Sequence, residues 1–171
     1  MLVDACFWKW RLTVAIYMKF GSINGAVTTE GYKNWIELHS FQFGTSRSMS
    51  SGARGGKREG SDPSISEIVV TKENDASSTK LFQDSVSGNM DTKVEIKMTT
   101  TVKNKVETYL TYELVDCGVS SYSVSSGGDK PMESLSLNFT KITVTPTPLD
   151  VAGQIKKGDV VSYDLQKMKA N

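Results

Sequence analysis

The order of hydrophobic and polar residues follows a β-strand pattern along most of the chain and a helical pattern in one segment. Within residues 66–100 the apolar period changes from two to about 3.6 and then back to two. Residues 68–71 fit a strand with both faces partly buried, and residues 94–99 fit a half-buried strand. Between them we predict one short helix, with Asp75 as its N-cap and Gly88-Asn89 at its end.

The predicted helix has a narrow apolar side. With about 3.6 residues per turn, Leu81, Phe82 and Val86 fall on one side together with Ser85. A short helix cannot bury such a stripe by itself, because its stability in water comes mostly from tertiary packing. We therefore predict that Leu81, Phe82 and Val86 form the core face of the helix and pack on a sheet.

Three strand segments change phase partway along. In residues 35–44 the apolar side chains move from the face of Ile36 to the face of Phe41, and residues 135–144 show a similar change. Residues 116–118 are typical of a bulge or corner. A strand that buries first one face and then the other passes between two sheets. The chain is therefore predicted to be mainly β, a barrel-like two-sheet β-sandwich with one short α-helix.

Turn-forming residues divide the remaining strands. Asn24-Gly25 is a strong hairpin signal after the first strand. Residues 94–102 and 106–115 flank a short turn, and the second of these strands has apolar residues on both faces, which predicts a central position in its sheet. Residues 161–165 form the last short strand before a basic tail.

Residues 44–64 form the longest polar run in the sequence. The run is rich in Gly and Ser, and a loop of this length in a compact domain is usually functional or disordered. Gly56-Lys57 suggests a phosphate-binding loop, but Ser51 and Arg58 stand where that motif requires Gly and then Ser or Thr. Arg54-Gly55-Gly56 suggests RNA binding, but it lacks repeats and interleaved aromatic residues. Nucleic acid is therefore not a predicted partner.

Length and charge narrow the function classes. The 171 residues suffice for one domain with its own core, and a net charge of +1 gives no field that would recruit nucleic acid or an anionic membrane. No apolar stretch approaches the ~20 residues of a membrane helix. Asp4, Lys9 and Arg11 interrupt any signal-peptide core, so the expected location is the cytoplasm. Cys117 is predicted to be a small buried thiol.

The residue types that carry out catalysis form no recognisable constellation. The single histidine, His39, lies in a strand beside Glu37 and is interpreted as an ordinary strand residue. No nucleophile-elbow motif accompanies it, and no Cys/His cluster has metal-ligand spacing. The carboxylates show no pairing suited to general acid–base work. The sequence therefore predicts neither an enzyme nor a bound metal or cofactor.

Residues 1–13 fit nothing downstream. Phe7, Trp8 and Trp10 would be an unusual set to expose at a terminus. Two interpretations compete: an apolar arm that docks elsewhere, or non-native sequence ahead of a true start at Val14. We favour the second, because a GTG initiation codon translated as an internal codon gives Val. Residues 14–171 then form a single domain.

Five segments, by their order and spacing, resemble the haemolysin-coregulated proteins (Hcp), which form the tube of bacterial type VI secretion. They cover about residues 14–169. The departures are residues 1–13, which have no counterpart, and Gly118, where relatives tend to carry an aliphatic residue. The segments are AIYMKFGSINGAVT, WIELHSFQFG with the Gly-rich loop after it, VTKENDASSTKLFQDSVSG, VSSYSVSSGGDKPMESLSLNFTKI and SYDLQKMK.

The resemblance implies a fold similar to the tail-tube proteins of contractile phages. It also implies hexameric rings that stack into a tube, which is propelled from the cytoplasm into a target cell without a signal peptide. Effectors would be held inside the ring. The implied partners are further copies of the chain, the sheath and spike proteins of the secretion system, and effectors. A phage tail-tube subunit and a monomeric β-sandwich binding module remain as alternatives.

The resemblance also suggests roles for individual residues. Gln42 lies between two aromatic residues on the opposite strand face, so it is predicted to face the lumen. The polar run is predicted to make the ring-to-ring contact. Its contact residues are Arg47, Arg54, Gly55, Gly56, Lys57 and Arg58, and the surface that they meet should be acidic, with Asp129, Glu133 and Asp150 as candidates.

Overall fold

A computed structural model describes residues 14–49, 60–102, 105–148, 156 and 158–170. The predicted N-terminal extension, residues 1–13, lies outside these ranges. Within the described residues the chain forms twelve β-strands and one α-helix. They are β1 (Val14–Phe20), β2 (Ile36–Leu38), β3 (Ser40–Gln42), β4 (Thr45–Ser46), β5 (Ser64–Ile65), β6 (Ile68–Glu73), α1 (Ser78–Ser87), β7 (Thr92–Val102), β8 (Lys105–Ser125), β9 (Met132–Asn138), β10 (Lys141–Pro146), β11 (Val161–Asp164) and β12 (Lys169–Ala170).

The strands form two antiparallel sheets that share β8. Sheet A has the order β12-β11-β10-β8-β7-β1-β2, and sheet B has the order β3-β6-β9-β8. β8 pairs with β10 up to Val115 and with β9 from Gly118 onward. A small third sheet joins β4 to β5. The mainly β, two-sheet fold that the sequence predicts is therefore confirmed.

The predicted phase changes are the places where the chain changes sheet. β2 pairs with β1 in sheet A, and directly after His39 the chain continues as β3, which pairs with β6 in sheet B. β8 bends at Asp116, which adopts a φ of 49°. β9 and β10 extend sheet B and sheet A, respectively, from a short turn. Because β2 and β3 are joined, the pairing follows a closed circuit, β1-β7-β8-β9-β6-β3-β2, which makes the fold barrel-like.

The core lies between the two sheets. Its side chains alternate along each strand with outward ones, which is the period-two pattern that predicted the strands. Cys117 belongs to this core, as predicted, and burial together with the nearby Asp84 carboxylate raises the pKa of its thiol to about 12. The full set is Met18, Phe20, Ile36, Leu38, Ile68, Val70, Leu81, Val94, Ile96, Leu114, Cys117, Val119, Leu135, Leu137, Phe139 and Ile142.

The helix begins later than predicted and turns a different face to the core. Its N-cap is Ser77 rather than Asp75, which instead accepts a hydrogen bond of 2.9 Å from the Ser77 N–H in the preceding turn. Leu81 is fully buried, as predicted, but the prediction was wrong for Phe82 and Val86, which are 52% and 68% exposed. The reason is that α1 packs mainly along β8, so it buries a stripe only about one side chain wide.

The structure confirms one predicted chain reversal and differs from the prediction at two others. The helix ends at Gly88 in the left-handed region, with a φ of 70°, as predicted. After β1 the chain turns at Gly21, with a φ of 48°, and not at Asn24-Gly25, whose glycine lies against the backbone of Trp35. The polar run 44–64 is also not a simple loop, because its two ends pair as β4 and β5.

The glycine at position 118 has a local structural reason that can be tested. A Cβ atom at Gly118 would overlap the carbonyl oxygen of Asn89, which is backbone, and the sulfur of Met90. We expect Gly118→Ala to lower the free energy of unfolding by about 1–3 kcal/mol, the usual cost of overpacking, in urea titrations. Gly127→Ala is the matched control, since a Cβ there meets nothing within 4 Å. Equal unfolding midpoints for the two variants would contradict this explanation.

Candidate functional site

Away from the core, the central part of sheet B carries short, uncharged side chains, and Glu73 at the end of β6 adds a charged group beside them. Cross-strand pairing places them in two rows, one through Gln42 and Ser136 and the other through Ser40 and Ser134. The hydroxyls of Ser40 and Thr71 lie 2.6 Å apart. We call this surface the hydroxyl face, and it consists of Ser40, Gln42, Val69, Thr71, Ser121, Ser123, Ser134 and Ser136.

Gln42 lies at the edge of the hydroxyl face. Its side chain is exposed, whereas Phe41 and Phe43 are half-buried and pack against Tyr112, with ring centroids 4.7 and 6.1 Å apart. Gln42 also lines an open groove of about 420 Å³ between the hydroxyl face and the β4–β5 pair. The structure thus places Gln42 on the face opposite the core, while its position relative to a lumen stays a prediction.

The outward face of sheet A is charged. The Lys93 ammonium lies 3.1 Å from the Glu95 carboxylate and 3.3 Å from that of Glu113. The Lys97 ammonium lies 3.6 Å from Glu95 and 4.9 Å from the centre of the Trp35 ring. Exposed ion pairs of this kind contribute only about 0–1 kcal/mol each, so they determine the chemistry of the surface more than the stability of the fold.

The two described ends of the polar run, residues 44–49 and 60–64, lie together as a stem beside the hydroxyl face, and we call the run as a whole the arm. Thr45 pairs with Ile65 in the stem, and a further bridge joins Met49 to Gly60. Arg47 is exposed on this stem. The other residues predicted to make the ring-to-ring contact lie outside the described residues, so their role stays a prediction; they are Arg54, Gly55, Gly56, Lys57 and Arg58.

Sheet B has two edges that no other strand of the described residues covers. β3 pairs only with β6, and the second half of β8 pairs only with β9. Where the β8 edge begins, the Val119 N–H donates to the Asp84 carboxylate of α1 at 3.4 Å. Beyond that point, the N–H and C=O groups of an uncovered edge are available to pair with another strand.

A buried ion cluster, which the sequence analysis missed, lies where β6, β9 and α1 meet. The Lys72 ammonium is fully buried and lies 2.9 Å from both the Glu133 and the Asp75 carboxylates. It also donates to the Ser78 hydroxyl at 3.1 Å. Lys72 occupies an inward position on β6, in phase with Val70, and that phase is the one sequence signal that could have identified it.

The burial of Glu133 corrects one sequence prediction. Glu133 cannot meet the basic arm, because its side chain is fully buried and its oxygens bind Lys72 and Asn74. Burial alone would raise the pKa of Glu133, but hydrogen bonds from Ser78, Lys72 and Asn74 outweigh it and hold the pKa below its ordinary value. Burial of Asp75 is likewise outweighed by its hydrogen bonds, so its pKa is also lowered. Both groups are therefore held as carboxylates.

The described residues contain no group of three or more His, Cys, Asp or Glu side chains placed to hold a metal ion. His39 is exposed, and its ring lies 3.5 Å from the Glu73 carboxylate. In the same part of the chain, no helix has the length and apolar run needed to cross a membrane. The described surfaces can form hydrogen bonds, ion pairs and further strand pairings, which are interactions that join one protein molecule to another.

Comparison with known proteins points to one family. The sequence model of the family described as "Type VI secretion system effector, Hcp" matches residues 17–145. A solved structure of a type six secretion system protein is 25% identical, covers 93% of this chain and 100% of its own, and has a TM-score of 0.86. Hcp1 from Salmonella typhimurium is 21% identical over 94% of this chain and 100% of its own, with a TM-score of 0.73. No curated protein gave a significant sequence match.

Removal of the Lys72 ammonium should destabilise the fold strongly. Lys72→Met keeps the approximate volume of the side chain but leaves Glu133 and Asp75 without their cation, which costs about 3–5 kcal/mol for a buried pair. Urea titration at neutral pH measures the loss. Lys130→Met is the matched control, because the Lys130–Glu73 pair at 3.1 Å is exposed and contributes under about 1 kcal/mol. A Lys72→Met variant as stable as this control would show that the cluster does not hold the fold.

Proposed function

The chain belongs to the type VI secretion system effector family Hcp, and we propose that it forms hexameric rings that stack into the exported tube of that system. The observation that carries the proposal is the family match over residues 17–145. The proposal places the chain in the cytoplasm before firing and outside the cell afterwards. Its partners are further copies of itself, the sheath and spike proteins, and effectors carried in the lumen.

The uncovered edges of sheet B support a head-to-tail ring. β3 and the second half of β8 lie at opposite edges of that sheet. If the β3 edge of each copy adds to the β8 edge of the next, every copy uses both edges once the ring closes. A closed ring therefore removes an edge at which an isolated subunit would aggregate. The number of six copies comes from the family resemblance.

The contrast between the two outward faces supports an orientation of the subunit within the ring. We place the hydroxyl face inward, with Gln42 in the lumen. Short hydroxyl side chains leave the passage wide, and they hold no fixed charge against a cargo protein. The charged face of sheet A, which carries Lys93, Glu95 and Glu113, then points outward, where a sheath protein would bind.

The arm supports contact between rings. Its stem lies at the Ile68 end of β6, and the loop that contains the exposed Asp129 lies at the other end, where β6 meets the start of β9. We propose that the arm of one ring reaches the Asp129 end of the next. Arg47 and the other basic residues of the arm are opposite in charge to this acidic group. Of the other predicted partners, Glu133 is excluded by burial, and Asp150 lies outside the described residues.

Replacement of residues 49–59 by a short Gly-Ser linker should keep the rings and abolish the tubes, because sheet B is unchanged. Light scattering measures the mass of the rings, and negative-stain electron microscopy detects tubes. Charge reversal at Arg54 and Lys57 should weaken stacking more at low salt than at high salt, since salt screens exposed charges. If the linker variant still forms tubes, or if it no longer forms rings, then the arm does not make the ring-to-ring contact.

The ring itself is tested by the wild-type protein. A wild-type protein that stays monomeric from micromolar to millimolar concentration would contradict the ring.

Gln42→Trp should leave hexamers intact and reduce effector retention. The indole adds bulk to space that the proposal leaves open, so the ring tolerates it while the cargo does not. The readout is the amount of effector that co-purifies with rings of known mass, compared with the conservative variant Gln42→Asn. If Gln42→Trp instead breaks the hexamer, then Gln42 lies at a subunit interface rather than in the lumen.

A further inference from the structure

Met90 lies in the short connection between α1 and β7, against the corner of β8. The helix ends with Gly88 as its C-cap, and β7 begins at Thr92. Thr92 pairs with Cys117, so this connection lies beside Gly118, the next residue of β8. The Met90 sulfur is close to the position that a Cβ atom of residue 118 would occupy. The thioether therefore packs on the backbone of the corner, where β8 has no side chain of its own.

Solvent also reaches Met90. The residue is 42% exposed, although its sulfur packs on Gly118. Two other methionines show these properties separately. Met18 is fully buried in the core, and Met168 is 55% exposed in the turn between β11 and β12, at the outer edge of sheet A. Met90 thus combines access from solvent with a contact at the β8 corner.

A thioether that solvent can reach is open to oxidation by peroxides. A sulfur lone pair attacks one oxygen of hydrogen peroxide, and the S–O bond forms as the O–O bond breaks. The departing hydroxide takes up the proton of the transferred hydroxyl and leaves as water. The sulfur loses two electrons and the peroxide gains them. The product, methionine sulfoxide, is polar where the thioether was apolar, and methionine sulfoxide reductases return it to methionine.

The surroundings of the Met90 sulfur do not suit a sulfoxide. The Asn89 carbonyl oxygen and the sulfur both lie against Gly118, on the side where its Cβ atom would be. A sulfoxide oxygen and a carbonyl oxygen are both hydrogen-bond acceptors, so neither supplies the other with a proton. A polar group that is packed without a hydrogen-bond partner carries a desolvation cost. The oxidised side chain is therefore more stable in solvent than against the corner.

The contact matters because two parts of the fold meet at this corner. β8 pairs with β10 up to Val115 and with β9 from Gly118 onward. Directly after Gly118, the Val119 N–H donates to the Asp84 carboxylate of α1 at 3.4 Å. The connection that carries Met90 joins α1 to β7, so its release from Gly118 loosens the attachment of the helix to β8.

We propose that Met90 is a site of reversible oxidation, at which a peroxide weakens the attachment of α1 to the β8 corner. The oxidised subunit then unfolds more readily, and reduction of the sulfoxide restores it. The proposal concerns the folded subunit and does not depend on the tube function.

The first test follows the wild-type protein through oxidation and reduction. After treatment of the full chain with dilute hydrogen peroxide, peptide mass spectrometry should find one added oxygen atom on Met90 and none on Met18. The urea midpoint should fall, and amide hydrogen exchange at Gly118 and Val119 should become severalfold faster. The two methionine sulfoxide reductases, one for each sulfoxide epimer, should restore both values. They would not repair oxidised cysteine, so the recovery assigns the effect to methionine.

The second test separates Met90 from the other methionines. Met90→Leu keeps the approximate volume and has no sulfur to oxidise, so its urea midpoint should be the same before and after peroxide. Met168→Leu is the matched control, because it removes another exposed sulfur but keeps Met90, and its midpoint should fall as that of the wild type does. The inference is wrong if Met90 stays unoxidised, if its oxidation leaves the wild-type midpoint unchanged, or if Met90→Leu loses as much stability as the wild type. Each of these results leaves the proposed tube function standing.

Discussion

The fold depends on one strand, β8, that belongs to both sheets. At its corner the backbone needs a positive φ at Asp116 and no side chain at Gly118, because the Asn89 carbonyl lies against it. β7, β9, β10 and α1 all take their positions from this strand. Since one continuous strand fixes both layers, the sheets cannot slide independently. The hydroxyl face and the arm stem therefore keep fixed positions relative to one another.

The Lys72 cluster fixes the helix on this framework. Buried ion pairs add little net stability, because the cost of removing charges from water offsets most of their attraction. Their effect here is directional: one ammonium is shared by acceptors from β9, from the turn before α1 and from α1 itself. A rotated helix would take the Ser78 hydroxyl away from the buried ammonium. This constraint holds the orientation in which Leu81 is buried while Phe82 and Val86 are not.

The two-sheet fold could be predicted from the sequence because each change of sheet leaves a phase change in the apolar pattern. The segments around His39 and between β9 and β10 show this directly. The ion cluster could not be predicted. A lysine at an inward strand position interrupts the alternation of apolar and polar residues, and the alternation does not show which acidic residue will pair with it. That partner, Glu133, lies 61 residues away, and no local pattern reports such a contact. The outward position of Gln42 could be predicted locally, from its alternation with Phe41 and Phe43.

The wrong prediction for Phe82 and Val86 follows from what periodicity measures. An apolar stripe identifies side chains that are to be buried, but it does not say whether the same chain buries them. Leu81 is covered by β8, whereas Phe82 lies about 100° further round the helix, where its half-exposed ring packs on Tyr122. Val161 continues the inner face of sheet A in the same incomplete way. The apolar pattern therefore identified the correct side of α1, but it did not show which of those side chains the described fold covers.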